Sequence, residues 1–439
     1  MDKQANGTLQ RIIRATTTVE PNEIRATLLS FAFLFMLMLA YNILKPVRDA
    51  MASDWSDPEV ATLWTINFFI SIAAVSAYGV LVSKLAFRWL VPAVYGFFAA
   101  SFVAFYVGSA FMTEPVLVEK AFYVWISVFS LFHISVFWSL MSDVFSKAQA
   151  PRLFALIASG ASIGTLTGST VPLFLAEKIG TDNLMLIAAA VLVAIIPLLG
   201  FLQHLKIVDL GNESESDASR RSRSIGGNPF AGFVQFFSNP YLLGIGVFIL
   251  LYTSVGSFVY FELKNLLEVF PREERTTIWA GINTAINVIA IATAWLATGR
   301  IATWLGLAKT LALVPVLVAL GLLLVAFSPV VAVIIGAQVV LKGGNYAITR
   351  PGREMLYTAV DRETRFKAKQ VIDIVVYRGG DVASGWAFAG LTAGLGLGLG
   401  MVAAIGAGIA LVWATVGLYL GRWFRDAGET SANGDPARP

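Results

Sequence analysis

The sequence predicts an all-α integral membrane protein of twelve transmembrane helices, arranged as two parallel six-helix repeats with both termini in the cytoplasm. Three observations carry this expectation. Of 439 residues, 57% are hydrophobic and only 14% charged, with a mean hydropathy of +0.72, whereas a soluble globular domain carries about 25% charged residues. Apolar stretches of about 20 residues, the length that crosses a hydrocarbon core, recur along the whole chain. Of the 32 Lys and Arg residues, 23 fall on the side of the N-terminus, 7 on the other side, and two (Lys342 and Arg378) inside predicted spans. Cytoplasmic loops are the ones enriched in these residues.

In chain order, residues 1–26 form a polar segment without an apolar core and small-residue cleavage site, so no removable signal peptide is expected. The first span, 27–45, doubles as the insertion signal and ends in AYNILKPVRDA, where Pro46 is expected to kink it. Spans follow at 60–83, 89–112, 117–142, 153–176 and 183–203, completing an N-terminal bundle over 27–205. The stretch LGNESESDASRRSRSIGGNP (210–229) has no apolar periodicity and marks a flexible cytoplasmic linker, 206–235. The C-terminal bundle, 236–422, holds spans at 240–262, 276–298, 307–327, 329–349, 370–394 and 397–421, followed by a tail, 423–439. Ser328-Pro329 separates the ninth span from the tenth, and a Gly/Leu run the eleventh from the twelfth. The halves resemble each other at an offset of about 215–220 residues. GVLVSKLAFRWL (79–90) answers GRIATWLGLAKTL (299–311), and SKAQAPRLFALIASGASIG (146–164) answers DRETRFKAKQVIDIVVYRGG (361–380).

Charges at bilayer depth cost about 2.5–3.5 kcal/mol each even on gentle insertion scales, so each demands an account. The eleventh span holds Asp373, Tyr377, Arg378 and Asp381. A spacing of four stacks the two acids and the phenol on one helix face, with Arg378 in reach of Asp381. Gly379-Gly380 lets a neighbouring backbone or ligand approach closely. Either these residues form an internally neutralised structural network, or they line a pathway. Two acids against one Arg favour the pathway. Lys342, beside Asn345 in LKGGNYA, either snorkels to the cytoplasmic face or points its ammonium into a cavity. Lys45, Arg48 and Asp49 mark either an ordinary positive helix end or a cationic patch at a cavity mouth. Asn67, Asn283 and Asn287 suit interhelical hydrogen bonds, and Asn283 also suits a ligand-orienting role. His133, among Phe132, Phe137 and Trp138, reads as a packing residue, and SGASIGTLTG (159–168) as a small-residue face for close helix contact. With no Cys, two His and no Walker or HExxH pattern, neither an enzyme nor a cofactor, metal or catalytic residue is expected.

AYNILKPVRDAMA, FWSLMSDVFSKAQAPRLFALIASGASIG and NYAITRPGREMLYTAVDRETRFKAKQVIDIVVYRGGD together resemble the ATP/ADP translocase-like transporters, in the branch found in free-living bacteria. The resemblance covers essentially the whole membrane region. Two parallel six-helix repeats with a central linker are also the plan of the major facilitator superfamily. GRIATWLGLAK resembles that superfamily's loop between its second and third helices, with Thr303 where an acid is usual. The resemblance implies alternating access and, in parasite and plastid members, nucleotide exchange. A Lys needed there falls on Arg48. The acid of their fourth helix falls on the uncharged stretch Trp125, Ile126 and Ser127. The acid of their seventh falls near Val259 and Tyr260, with Glu262 a shifted substitute. ATP/ADP exchange is therefore not carried over.

The expectation is a multi-pass secondary transporter of the bacterial inner membrane, its substrate held near the midplane between the two halves. An anionic metabolite, such as a nucleotide or phosphorylated compound, would meet Lys45, Arg48, Asn283, Lys342, Asn345, Tyr377 and Arg378. Asp49, Asp373 and Asp381 would handle charge balance, a coupling proton or a counter-substrate. Membrane lipids are the other partners; the net charge of +4 sits in loops and predicts no nucleic-acid binding. A proton-coupled carrier of a neutral or amphipathic compound (lipid or drug export) and a non-transporting membrane scaffold are the rival readings.

Overall fold

A computed structural model describes residues 19–84, 87–112, 115–146, 148–212, 236–296, 298–360, 369 and 371–432, apart from the side chains of 75–84, 87–88, 294–296, 298–304, 373–374 and 427–432. Expectations for Lys84, Arg88, Thr303, the side chain of Asp373, most of the linker and both chain ends fall outside the described residues.

Every regular element among the described residues is helical. The first half holds α1 (Ile24–Met51), α2 (Asp57–Lys84), α3 (Phe87–Phe111), α4 (Pro115–Val144), α5 (Ala150–Ile179) and α6 (Asn183–Val208). The second holds α7 (Pro240–Leu266), α8 (Arg272–Leu296), α9 (Thr298–Phe327) and α10 (Val331–Gly344). α10 continues through a π-helical turn, Asn345–Thr349, into Arg350–Leu356. Then come α11 (Tyr377–Ala389), between π-helical turns Ile372–Val376 and Gly390–Gly394, and α12 (Leu399–Ala432). Ten helices among the described residues are long and apolar enough to cross a membrane; α2 and the interrupted α11 are the two predicted spans outside that set.

Local chemistry sets several boundaries. Pro240 opens α7, and the Asn239 carboxamide oxygen accepts from Tyr241 N at 2.9 Å and Leu242 N at 3.3 Å, satisfying donors that an α-helix leaves free at its start. α9 is broken at Gly306, whose φ of 73° lies in the left-handed region, which glycine enters without strain. α1 runs on past Pro46 to Met51, so Lys45, Arg48 and Asp49 lie within a helix rather than beyond its end. α11 is not the uninterrupted helix expected. The π-turn ahead of Tyr377 adds backbone per turn, so regular four-residue stacking joins Tyr377 to Asp381 but does not extend to Asp373.

The chain forms two compact units. The first gathers Met1–Met51, Phe69–Ile225 and Arg272–Gly281; the second gathers Ala52–Phe68, Gly226–Pro271 and Ile282–Pro439. In the first, α1 packs on α4, α5 and α6, and α3 on α4 and α6. In the second, α7 packs on α10, α11 and α12, and α9 on α10 and α12. These pairings repeat with an offset of six helices, which is the weak sequence repeat expressed as packing. The seam of α5 on α1 is backbone-tight: side chains at Gly160 and Gly168 would lie 2.6 Å from the Phe31 and Leu39 carbonyl oxygens, and one at Gly164 would overlap the Phe35 carbonyl. His133 is buried in the first unit, its ring stacked on Tyr41 and Phe129 (centroids 5.0 and 5.1 Å) with Nδ1 3.0 Å from Phe129 O.

Each unit contains a piece of the other half of the sequence. In the first, Arg272 grips Glu119 at 2.5 and 3.1 Å, Arg275 Nη1 donates to Ala50 O at 3.2 Å, and Thr276 Oγ1 lies 3.1 Å from Thr181 Oγ1. In the second, Lys264 Nζ lies 3.0 Å from Asp57 Oδ1 and donates to Trp55 O at 2.7 Å, while Thr392 Oγ1 donates to Asp57 Oδ2 at 2.8 Å. Trp64 packs on Tyr260 and Phe261 at 5.5 and 5.1 Å. The two exchanged segments are the beginnings of α2 and α8, one repeat apart.

Candidate functional site

The second unit assembles a charged cluster from α7, α10 and α11. Tyr252 on α7 and Tyr377 on α11 pack with their ring centroids 6.1 Å apart. The Lys342 ammonium lies 5.4 Å from the Tyr252 ring centroid, a cation–π distance. Gly256, one turn along α7, leaves room for it: a side chain there would meet Lys342 Nζ at 3.5 Å. Asp381 stands in electrostatic reach of both Lys342 and Arg378, and Arg353 and Tyr346 in reach of Tyr252. Lys342, Tyr377, Arg378 and Asp381 are each half-buried, and Arg353 is buried. Among the described side chains, two cations (Lys342 and Arg378) face Asp381, while Arg353 lies 3.7 Å from Glu354 Oε1. The balance around Asp381 is the reverse of the two-acids-to-one-Arg balance of the eleventh span alone, because α10 supplies Lys342. Asn345, one turn along from Lys342, is buried at the start of the π-turn. Asn283 is buried on α8, one turn from Ile286 and two from Ile289, which a side chain at Gly343 would meet at 3.4 Å.

The first unit has its own cationic group on α1. Arg48 Nη2 and Nε lie 2.6 and 3.0 Å from Asp49 Oδ1, and Nη1 lies 3.4 Å from Ser127 Oγ. Its guanidinium carbon is 5.3 Å from the Tyr123 ring centroid. Asp49 is buried, so this pair is a partly neutralised group rather than an open cationic patch. Lys45 is half-buried one turn earlier on the same helix. The Arg48–Ser127 contact joins two positions, one on α1 and one on α4, that sequence resemblance singles out separately.

Tyr252 and Arg353 escaped the sequence reading as site residues, and Glu262 entered it only through the resemblance, as a shifted substitute for an acid. Nothing in local spacing marks Tyr252. Arg353 belonged to a predicted loop because the span was ended at 349, whereas the π-turn carries α10 onward to Leu356. Glu262 stood at a predicted span end, yet α7 runs to Leu266 and buries it completely. Among the described residues, no group of three or more His, Cys, Asp or Glu could hold a metal ion.

Two helical repeats with matching packing and in-span cations on α1, α10 and α11 define a membrane transport fold. The chain matches the Major Facilitator Superfamily over residues 28–356, and it belongs to that family. Comparison with curated protein sequences gives no match. Among solved structures, the nucleoside transporter NupG is similar with a TM-score of 0.63 at 14% identity, over 91% of this chain and 99% of that one. A bacterial homolog of the human lysosomal transporter Spinster, described as inward-facing and unoccupied, gives 0.58 at 12% identity over 96% and 100%. A bacterial metal transporter gives 0.59 at 13% over 92% and 99%. At these identities the likeness is one of fold.

Proposed function

We propose that this chain is a secondary active transporter of the bacterial inner membrane that carries an anionic metabolite, a nucleotide or phosphorylated compound, by alternating access. Twelve spans, cytoplasmic termini, and bundles over 27–205 and 236–422 joined by the linker 206–235 are part of this reading. The observation that carries it is the cluster in which Lys342 and Arg378 stand in reach of Asp381, the Lys342 ammonium lies over the Tyr252 ring, and Tyr377 packs beside that ring. With two cations to one described acid, the cluster has positive charge left over for a ligand, and the half-buried Tyr377 ring gives a base or sugar a surface to lie on. Asp381 and Asp373 balance charge when the site is empty, and Asp49 does the same for Arg48. The resemblance to ATP/ADP translocase-like transporters supports the nucleotide class, and the description of NupG as a nucleoside transporter agrees with a base-bearing ligand.

The test is uptake into proteoliposomes of labelled AMP, ATP, a sugar phosphate and inorganic phosphate, beside an uncharged nucleoside. Each lost charge-assisted contact is worth about 1.5–3 kcal/mol, so Lys342→Ala and Arg378→Ala should each lower anion uptake about tenfold or more. Uptake of the uncharged nucleoside alone, indifferent to both substitutions, would overturn the anion reading.

A further inference from the structure

α7 carries an acid that the cluster above does not use. Glu262 is fully buried, and neither carboxylate oxygen has a hydrogen-bond partner. Lys264 is near in sequence but committed elsewhere, to Asp57 and Trp55 O, and two residues along a helix is about 200° around it. The other acids of the chain's interior have cations at hand: Asp49 has Arg48, and Asp381 has Lys342 and Arg378. Among the described residues, Glu262 is the exception.

Among the described residues, the elements packed on α7 include α10, α11, α12, the turns Ala52–Asp54 and Ile372–Val376, and the start of α2, which brings Trp64 onto Tyr260 and Phe261 and carries Asp57 and Glu59. From α10, Lys342 meets α7 at Gly256, six residues or about 9 Å back along the axis, with Tyr346 beyond it. From α11, Arg378, Tyr377 and Asp381 meet α7 around Tyr252 and Thr253, further back still. α12 has no charged residue between Leu399 and Leu420, and its one titratable group there is Tyr419. Asp54 lies in the turn, and Asp57, just after it, acts electrostatically on Glu262. The neighbour whose charge reaches Glu262 is therefore of like sign. A carboxylate stripped of water, without a donor and beside another acid is strongly disfavoured, and a proton removes the charge. An alkali cation would need a shell of oxygen ligands, and Glu262 meets no such shell among the described residues.

Glu262 also has a place in a route. Asp57 and Lys264 line a cavity of about 460 Å³ together with Asp54, Asn265, Glu268 and Thr392. This cavity is at the end of α7 that the charge distribution puts outside the cytoplasm. On the other side of Glu262 along α7 is the Lys342–Tyr252 cluster. We infer that Glu262 is the proton-binding group through which transport is coupled to the proton gradient, loaded from this outer cavity past Asp57 and Lys264. The proton comes from water in the cavity, rests on the carboxyl and returns to water on release; no other bond changes. The inference rests on the reading of the chain as a transporter and on no particular substrate.

Two measurements test it. Infrared spectroscopy of the purified protein at neutral pH should show the C=O stretch of a protonated carboxyl in wild type, in Asp381→Asn and in Glu262→Asp, and not in Glu262→Gln, which keeps the shape of the protonated acid. A band unchanged in Glu262→Gln, or missing from wild type, overturns the proposal. In proteoliposomes, an acidic outside should raise wild-type uptake of the transported compound severalfold, and in Glu262→Gln the ratio of gradient-driven to gradient-free uptake should fall to about one. A ratio that stays at the wild-type value assigns coupling elsewhere and also overturns it. Loss of both the band and the gradient-driven uptake in Glu262→Gln, where the wild type carries a neutral compound and no anion, would keep the proton site and sink the anion reading, so the two fail separately.

Discussion

α5 and α11 hold the same place in the two repeats, each packed on the first helix of its own half, and they are built to opposite specifications. α5 presents Gly160, Gly164 and Gly168 at four-residue intervals to the α1 backbone and carries no charge along that seam. α11 brings one glycine, Gly380, against Thr253 of α7, is bounded by π-turns at both ends, and carries Arg378 and Asp381 in the membrane. At their outer ends the two act alike: Thr181, just beyond α5, meets Thr276 at the start of α8, and Thr392, just beyond α11, meets Asp57 at the start of α2. Each contact ties the end of one helix to the start of a helix from the other half of the sequence, while along their lengths the two helices differ. One copy became a rigid seam and the other a polar face with irregular backbone, which lipid-buried segments tolerate where they line protein or a cavity.

That difference can be broken most sharply at Gly164. Leucine there drives a side chain into the Phe35 carbonyl, which belongs to backbone and cannot rotate away. Overpacking of this kind costs typically 1–3 kcal/mol and occasionally more, so Gly164→Leu should destabilise by about 3 kcal/mol, with a clear fall in Tm measured in detergent. Transport per folded molecule should be unchanged in the milder Gly164→Ala. A Gly164→Ala protein with wild-type Tm and altered substrate affinity would make α5 a pathway helix as well, and the contrast with α11 would be lost.

Gly380 gives a smaller effect with a specific remedy. Its added methyl in Gly380→Ala meets Thr253 Oγ1, which now donates to Leu250 O at 2.8 Å. The obstacle is a side chain rather than a carbonyl, so the structure yields by turning Thr253 and losing that bond, at about 1 kcal/mol. Adding Thr253→Ala should restore most of the stability. If the double variant is as unstable as the sum of the two single ones, the glycine is needed for backbone geometry and not for contact.

How much of this was legible beforehand differs between the two helices for a physical reason. The α5 seam could be read from SGASIGTLTG because small residues at helical spacing mean one thing in a membrane, close approach. Ten of the twelve span positions were equally readable, since a bilayer imposes length and apolarity. The α11 site was only half readable. Arg378 and Asp381 announced themselves by their cost in lipid, but Lys342 reaches Asp381 from another helix, and Arg353 joins that helix only because α10 continues through a π-turn, which no propensity marks. The burial of Glu262 hinged on four residues of helix length, within the ordinary error of a boundary drawn from hydropathy. Tyr252 became visible only once α7 and α11 were side by side.

The outer ends, where the two helices agree, offer the gentlest test. Beyond α5, Asp182 has its carboxyl pushed above the usual 3.8, first by burial and further by Glu273, with Arg272 pulling the other way. A carboxyl whose folded value is raised holds its proton more tightly in the native state, so stability falls as pH climbs from about 4 through the folded value, and the loss is complete above it. Tm measured across that window should decline with rising pH, and Asp182→Asn should flatten the decline. Arg272→Gln should steepen it, because the one opposing cation is gone. A steeper decline in Asp182→Asn than in wild type would mean that the Asp182 carboxylate stabilises the α8 start as a charge. The outer end of α5 would then work as Asp57 and Lys264 do beside α11, and the likeness between the two repeats would extend to their ion pairs.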